Sequence, residues 1–349
     1  MPGRSNAWGD GEAARPAPRS VLRLVAELYY VRDWSQAEIA ELLRCSVSKV
    51  SRMLAAARAD QIVQITVDSD PHELEPLARE LSDALGAVAT LTAGRRGDTP
   101  AAGAVCAVAA APLVAAMLPE LGVVGTAGGY TISTLANALP RVSRPGLTIV
   151  PLLGGLHLTS PPLLDINVMT DRIAERLGAT PRRLLAPGLL DSPATKEALL
   201  RDTVVRATTD LWSKLACALL GVSGGPVDQP GYTTVFDQLS DDERARLASK
   251  GVAGDIAGHL FTIDGEPVED EWASRLLCID LDRLRACPQA ILVAAGPHKV
   301  RSIVGACRTG AIDRLFTDEL TAASILRLVE SGRRDSLGAP SPVTAKGGR

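Results

Sequence analysis

Apolar side chains in residues 21–31, "VLRLVAELYYV", return every three or four positions, the spacing of a helix with one buried face. A second helix is predicted from Ser35, because Ser35 and Glu38 form an S-x-x-E capping box. Its inward positions are expected at Ile39, Leu42 and Leu43. A third helix is predicted to start near Ser46, whose hydroxyl suits an N-cap. It runs through inward Val47, Val50 and Leu54 to about Ala59. "QIVQITVDSD", residues 61–70, then alternates as a strand does, until Pro71 breaks it.

Beyond Pro71 the pattern becomes strand–helix alternation. "AVATLTA", "GVVGT", "LTIVPLLGG", residues near 183–186, "LACALLGVSGG", "AILVAAG" and "IDRLFTDE" read as strands, with helical segments between most of them. The segment "GDIAGHLFTIDGEPV" reads as turn-rich. Such alternation predicts an α/β class fold with a doubly wound, Rossmann-like parallel sheet. The expected organisation is a disordered leader (1–19), a helical domain (20–70), the α/β domain (71–331) and a disordered tail (332–349). No internal repeat is visible.

Composition narrows the class. The chain has 349 residues, 46% of them hydrophobic but only 3% aromatic, so its core is built from aliphatic side chains. The net charge is −3, so any affinity for nucleic acid must come from a local patch. Six cysteines are scattered without C-x-x-C pairs or metal-ligand spacing. That usage implies a reducing, cytoplasmic compartment, and no metal or cofactor is expected. "AAGAVCAVAAAPLVAAML", residues 101–118, is uncharged, but its Ala and Gly content and Pro112 favour a helix packed on a sheet over a membrane span.

One local patch stands out. From Arg44 to Arg58 there is no acidic residue, while Arg44, Lys49, Arg52 and Arg58 are all cationic. Ser48, Lys49, Ser51 and Arg52 interleave with the apolar positions of the third helix, so they project away from the core. Hydroxyls and cations on such a face suit phosphates and base edges in the major groove. Two helices joined by a tight turn, the second exposed and basic, make a helix-turn-helix. Ser35 and Gln36 begin the supporting helix, where its N-terminus can meet a phosphate. The candidate DNA-binding residues are Ser35, Gln36, Arg44, Ser46, Ser48, Lys49, Ser51 and Arg52. A generic helical hairpin with a solvated basic face is the competing reading.

Candidate small-molecule residues fall at the carboxyl ends of predicted strands, where open α/β sheets bind ligands. "GVVGTAGGYTIST", 122–134, is a strand, a glycine turn and a helix start, able to cradle an anion through Thr126, Gly128, Gly129 and Thr131. It is neither a Walker loop nor a dinucleotide fingerprint. "LLGGL" contributes Gly154 and Gly155, "GVAGDIAGHLF" contributes Asp255, and "AAGPHKVRSI" contributes Lys299 at a helix opening. "LFTDELTA" ends the last strand with Thr317, Asp318 and Glu319.

These residues carry a resemblance. Gln36, Glu38, Ile39, Ala40 and Leu43, followed by Ser46, Val50, Ser51, Arg52 and Leu54, resemble the N-terminal reader of the bacterial SorC/DeoR-type sugar-binding transcriptional regulators. Arg44 stands where many members have Gly, so it must accept positive φ or bend the turn differently. The order "GTAGGYT", "LLGG", "GVAGDIAG", "AAGPHK", "LFTDE" resembles the effector domain of that family over nearly all of residues 20–331. That domain is similar in fold to glucosamine-6-phosphate deaminase and ribose-5-phosphate isomerase. The resemblance implies that the "GTAGGYT" turn holds an effector phosphate, Asp255 a sugar hydroxyl, and Lys299 the phosphate or a hydroxyl. It implies double-stranded operator DNA, a sugar, sugar-phosphate or polyol effector of carbohydrate catabolism, and a second copy of the chain (dimer or tetramer) as partners. Where this chain has Ala127, Gly128, Gly129 and Tyr130, the family more often has an aromatic and a basic residue, which leaves a phosphorylated effector and an uncharged one both open. The expectation is therefore a regulator rather than an enzyme. The rival is a sugar-phosphate isomerase or deaminase-like enzyme with a fused helical domain, for which His72, His157, His259 and His298 form no clear dyad with Asp255.

Overall fold

The computed structural model describes residues 17–32, 34–60, 62–63, 71–94, 101–155, 165–226, 236 and 239–338. The chain divides into two compact units, Met1–Val67 and Asp68–Arg349. Most of the strand expected over 61–70 lies outside the described residues, as do residues 1–16 of the leader and 339–349 of the tail.

The first unit holds α1 (Arg19–Tyr30), α2 (Gln36–Leu43) and α3 (Val47–Ala59). The capping box at α2 is formed: the Glu38 N–H donates to Ser35 Oγ at 3.2 Å, and the Ser35 N–H donates to Glu38 Oε2 at 2.7 Å. Ser46 caps α3 by accepting the Lys49 N–H at 3.3 Å. Between them Arg44 takes the left-handed conformation, φ 50 and ψ 49. The Cys45 N–H donates to Ala40 O and the Arg44 N–H to Glu41 O, the paired bonds of a Schellman ending. Leu22, Val25, Ile39, Ala40, Val50, Met53, Leu54 and Ala57 make the core.

Two inward expectations are corrected here. Leu42 is 54% exposed and Val47 48% exposed. The buried stripe of α2 is centred between Ile39, Ala40 and half-buried Leu43, and Leu42 sits roughly 110° from that centre at 100° per residue. In α3 the stripe runs through Val50, Met53, Leu54 and Ala57, and Val47 lies in the first turn at its margin.

The second unit opens with α4 (Pro71–Leu85) and β1 (Val88–Thr92). It continues with α5 (Ala101–Met117), β2 (Leu121–Thr126), α6 (Tyr130–Ala138), β3 (Gly146–Pro151), α7 (Ile166–Leu177), β4 (Thr180–Pro181), α8 (Pro193–Arg201), α9 (Thr203–Thr209) and β5 (Leu215–Leu220). Then come α10 (Asp241–Ser249), β6 (Val252–Ile256), β7 (His259–Thr262), α11 (Glu271–Ser274), α12 (Leu281–Arg285), β8 (Ala290–Val293), α13 (Val300–Arg308), β9 (Arg314–Asp318) and α14 (Glu319–Gly338). The last helix thus passes the boundary at 331 expected from the sequence.

Among the described residues a seven-stranded sheet has the order β1-β9-β8-β5-β2-β3-β4, with every neighbouring pair parallel. Alternate strand residues face opposite layers, as the two-residue period requires. Cys217, Leu219, Ile291 and Val293 pack with α5, α6 and α7, while Ala218, Leu220, Ala290 and Leu292 pack with α4, α13 and α14. The uncharged α5 lies in the first of these layers, and among the described residues no helix is long and apolar enough to cross a membrane. No strand forms at 183–186, where one was expected; the nearest is the two-residue β4 just before it, at the sheet edge, a position that tolerates Pro181. From β2 the chain moves outward to β3 and β4 on one side and returns to β5, β8 and β9 on the other. The strand order therefore reverses between β2 and β5, and a crevice opens at their carboxyl ends.

The first part of segment 254–268, expected to be turn-rich, belongs to an antiparallel hairpin of β6 and β7. Its position is fixed by close approach. A Cβ at Gly254 would sit 2.5 Å from Ser223 O and 2.8 Å from Ser302 Cβ. The Ser302 hydroxyl donates to Ala253 O at 2.8 Å.

Candidate effector cavity and candidate nucleic-acid face

A cavity of about 460 Å³, counting its open mouth, lies at the switch point. The turn after β2 contributes Ala127, Gly128, Gly129, Tyr130 and Thr131, and the turn after β5 contributes Gly221, Val222 and Ser223. Leu153, Asp255, Ala257, Gly258 and Lys299 complete the lining.

Of the residues named from sequence, Gly128, Gly129, Thr131, Asp255 and Lys299 meet around this one space. Gly129 has φ 107 and begins α6 without a capping side chain, an arrangement that accepts an oxygen ligand at a helix N-terminus. The other three sit elsewhere. Thr126 is fully buried behind the turn, its hydroxyl donating to Ala127 O at 3.1 Å. Gly154 and Gly155 belong to a backbone ladder: the Gly154 N–H donates to Leu277 O at 2.9 Å and the Gly155 N–H to Ala186 O at 3.0 Å. A Cβ at Gly154 would meet Pro187 O at 2.5 Å, so close packing demands that glycine. In the "LLGG" turn, Leu153 is the residue that lines the cavity.

Lys299 and Asp255 are the charged residues of the lining. Lys299 Nζ donates to Thr131 Oγ1 at 3.2 Å. Burial lowers the Lys299 pKa to about 8, opposed by Cys106 and Asp255. Asp255 is 4% exposed. Burial raises its pKa, opposed by the Ser223 hydroxyl, the Gly258 N–H and the Lys299 charge. Its Oδ2 accepts the Gly258 N–H at 3.0 Å, while its buried Oδ1 has no well-formed hydrogen bond. A buried carboxylate oxygen in that condition has capacity to accept a further hydrogen bond.

The loop bearing Lys299 is fixed from the junction of β9 and α14. The Gly296 N–H donates to Thr321 Oγ1 at 2.8 Å, and the Thr321 N–H donates to Asp318 Oδ1 at 2.6 Å. Asp318 thus holds the wall rather than entering the cavity. His259 points elsewhere, with Nε2 2.6 Å from Ile279 O. Sequence reasoning missed Gly221, Val222 and Ser223, which read as a continuation of β5. The signal available for them was the "GVSGG" run.

In the first unit, the exposed face of α3 carries Ser48, Ser51, Arg52 and Arg58, with Lys49 half-buried. Ser46 Oγ and Ser48 Oγ lie 3.0 Å apart, and Arg52 Nε donates to Ser48 O at 3.4 Å. Arg44 is exposed at the turn before α3, and exposed Ser35 and half-buried Gln36 lie at the start of α2. All eight residues named for this face therefore lie at the N-cap or first turn of α2, in the turn, or on α3.

A doubly wound sheet with a polar cavity at its switch point defines a small-molecule-binding class of domain. A family profile described as "Putative sugar-binding domain" matches residues 77–327, and the chain belongs to that family. It is similar to the "Sorbitol operon regulator" of Klebsiella pneumoniae, at 29% identity over 312 residues covering 87% of this chain and 96% of that one. It is also similar to the "Erythritol catabolism regulatory protein EryD" of Brucella abortus (strain 2308), at 26% identity over 312 residues covering 89% and 97%. The crystal structure of full-length sorbitol operon regulator SorC from Klebsiella pneumoniae matches with a TM-score of 0.67 and 26% identity, covering 89% of this chain and all of that one. The names of these relatives describe regulators, one of a sorbitol operon and one of erythritol catabolism.

Proposed function

We propose that the chain is a one-component transcriptional regulator whose operator binding is controlled by a sugar, sugar phosphate or polyol. The helices α2 and α3 act as a helix-turn-helix. α3 enters the major groove, with Ser48, Ser51 and Arg52 toward base edges and Lys49 and Arg44 toward phosphates. Val47, exposed at the start of α3, meets a thymine methyl group. The observation that carries this reading is the acid-free, solvent-facing surface of α3 in a chain with no overall positive charge.

The α/β unit, kin in fold to glucosamine-6-phosphate deaminase and ribose-5-phosphate isomerase, holds the effector in the β2–β5 crevice and turns over nothing. Asp255 Oδ1 accepts an effector hydroxyl, and Lys299 and the start of α6 hold a second oxygen group. Effector binding changes transcription by favouring one arrangement of a cytoplasmic dimer or tetramer over another. An effector with equal affinity for both would shift nothing. The test is fluorescence anisotropy of the full chain on DNA from upstream of its own gene, with sorbitol, erythritol, ribose 5-phosphate or fructose 6-phosphate added in turn. The reading expects sequence-selective binding that one of these compounds changes at least tenfold. Binding indifferent to DNA sequence and to every compound refutes it.

A further inference from the structure

The hairpin joining β6 and β7 closes with two residues, Ala257 and Gly258, between paired Ile256 and His259. Their φ values are 48 and 91. Positive φ at both central positions is the signature of a type I′ turn, for which Asn-Gly, Asp-Gly or Gly-Gly is the ordinary choice. At 258 the rule is kept, and a Cβ there would lie 3.2 Å from both Cys278 Cβ and Cys278 Sγ. At 257 it is broken. Alanine pays the left-handed penalty and has no side-chain amide to offset it. Backbone strain of this kind persists where the surroundings demand it, and such positions cluster at ligand sites. Ala257 is 5% exposed and lines the cavity beside Asp255. The turn also holds Asp255, through the Gly258 N–H to Oδ2 at 3.0 Å.

We propose that Ala257 sets the depth of the cavity and thereby the largest effector it admits. A left-handed position that favours Asn is filled by Ala because a longer side chain there would occupy the space meant for the ligand. This inference rests on the effector reading of the cavity.

The experiment uses the full chain and the variants Ala257→Asn and Ala257→Gly. Thermal denaturation is followed alone and with two size series. One is glycerol, erythritol, xylitol and sorbitol; the other is glycerol 3-phosphate, erythrose 4-phosphate, ribose 5-phosphate and fructose 6-phosphate. Both variants suit the turn better than alanine, so each should melt at or slightly above the wild type without ligand, by about 1–3 °C. Ala257→Asn should lose the stabilisation given by the longest compound that stabilises wild type. Ala257→Gly should keep it and respond at least as strongly to the next longer compound. An Asn variant with the wild-type size profile overturns the inference and leaves the effector reading standing. Ligand-free melting below wild type for both variants also overturns it, by removing the strain. If no compound in either series stabilises the wild type, the effector reading itself fails and the inference falls with it.

Discussion

Replacing Arg44 with Gly should make the first unit more stable and the chain a weaker DNA binder. Arg44 occupies the left-handed residue of a Schellman ending, at φ 50 and ψ 49. A side-chain Cβ in that region costs ~1–2 kcal/mol, and glycine gives back part of this through its looser unfolded chain. The net gain is about 1 kcal/mol, roughly a fivefold shift in the folding equilibrium of the unit. In a unit of this size that raises the melting midpoint by about 4–8 °C. Scanning calorimetry or hydrogen exchange on the Ala40 and Glu41 carbonyl partners, the Cys45 and Arg44 amides, reads this directly. The same substitution removes an exposed cation from the proposed DNA face. If Arg44 meets a phosphate, the slope of log K against log salt on duplex DNA should become shallower by about 0.9. Opposite signs in the two assays are the prediction. A destabilised unit refutes the strain argument, and an unchanged salt slope removes Arg44 from the interface.

Ser46→Ala deletes the α3 cap and should cost ~1 kcal/mol, seen as a lower melting midpoint of the first unit. Asp255→Asn should leave ligand-free stability equal or higher, since it removes a buried charge, yet weaken the effector by about 10–100-fold through loss of a charge-assisted bond of ~1.5–3 kcal/mol; isothermal titration measures it. Lys299 supplies a test of effector charge: its pKa of about 8 in the free protein means that affinity for an anionic effector should fall as pH rises above about 8, while an uncharged polyol should show little change there. Asp270→Asn should destabilise the second unit, because that buried carboxylate accepts from Arg246 and Lys250 and caps α11 through the Trp272 N–H. Those partners hold the Asp270 pKa well below the ordinary carboxylate range, so its contribution is present above pH ~4 and is lost as pH falls below that in acid denaturation.

Much of this architecture is written locally. Ser35 and Glu38 announce α2 because the two groups that satisfy each other are three residues apart, and Ser46 announces α3 for the same kind of reason. The aliphatic runs ending in Gly-rich turns announce a parallel sheet and the edge at which the cavity opens. What escapes the sequence is set by partners far along the chain. The β6–β7 hairpin hides because its turn is Ala-Gly rather than Asn-Gly, and because Gly254 owes its identity to Ser223 and Ser302. Gly154 looks like a ligand glycine and is instead pressed against Pro187. Ser223 enters the cavity only because β5 stops at Leu220. Leu42 and Val47 look like core residues by type, but two short helices cannot turn every apolar side chain inward.

The outer face of α3 is proposed to read duplex DNA. Selection of bound sequences from a random duplex library by the full chain, in parallel with Arg52→Ala, addresses it most directly. Wild type should enrich one inverted repeat with half-sites about one helical turn, or a multiple of it, apart, and Arg52→Ala should lose or relax preference at a defined position within each half-site. Failure of the wild type to enrich any sequence, or an identical motif from both proteins, would contradict the account.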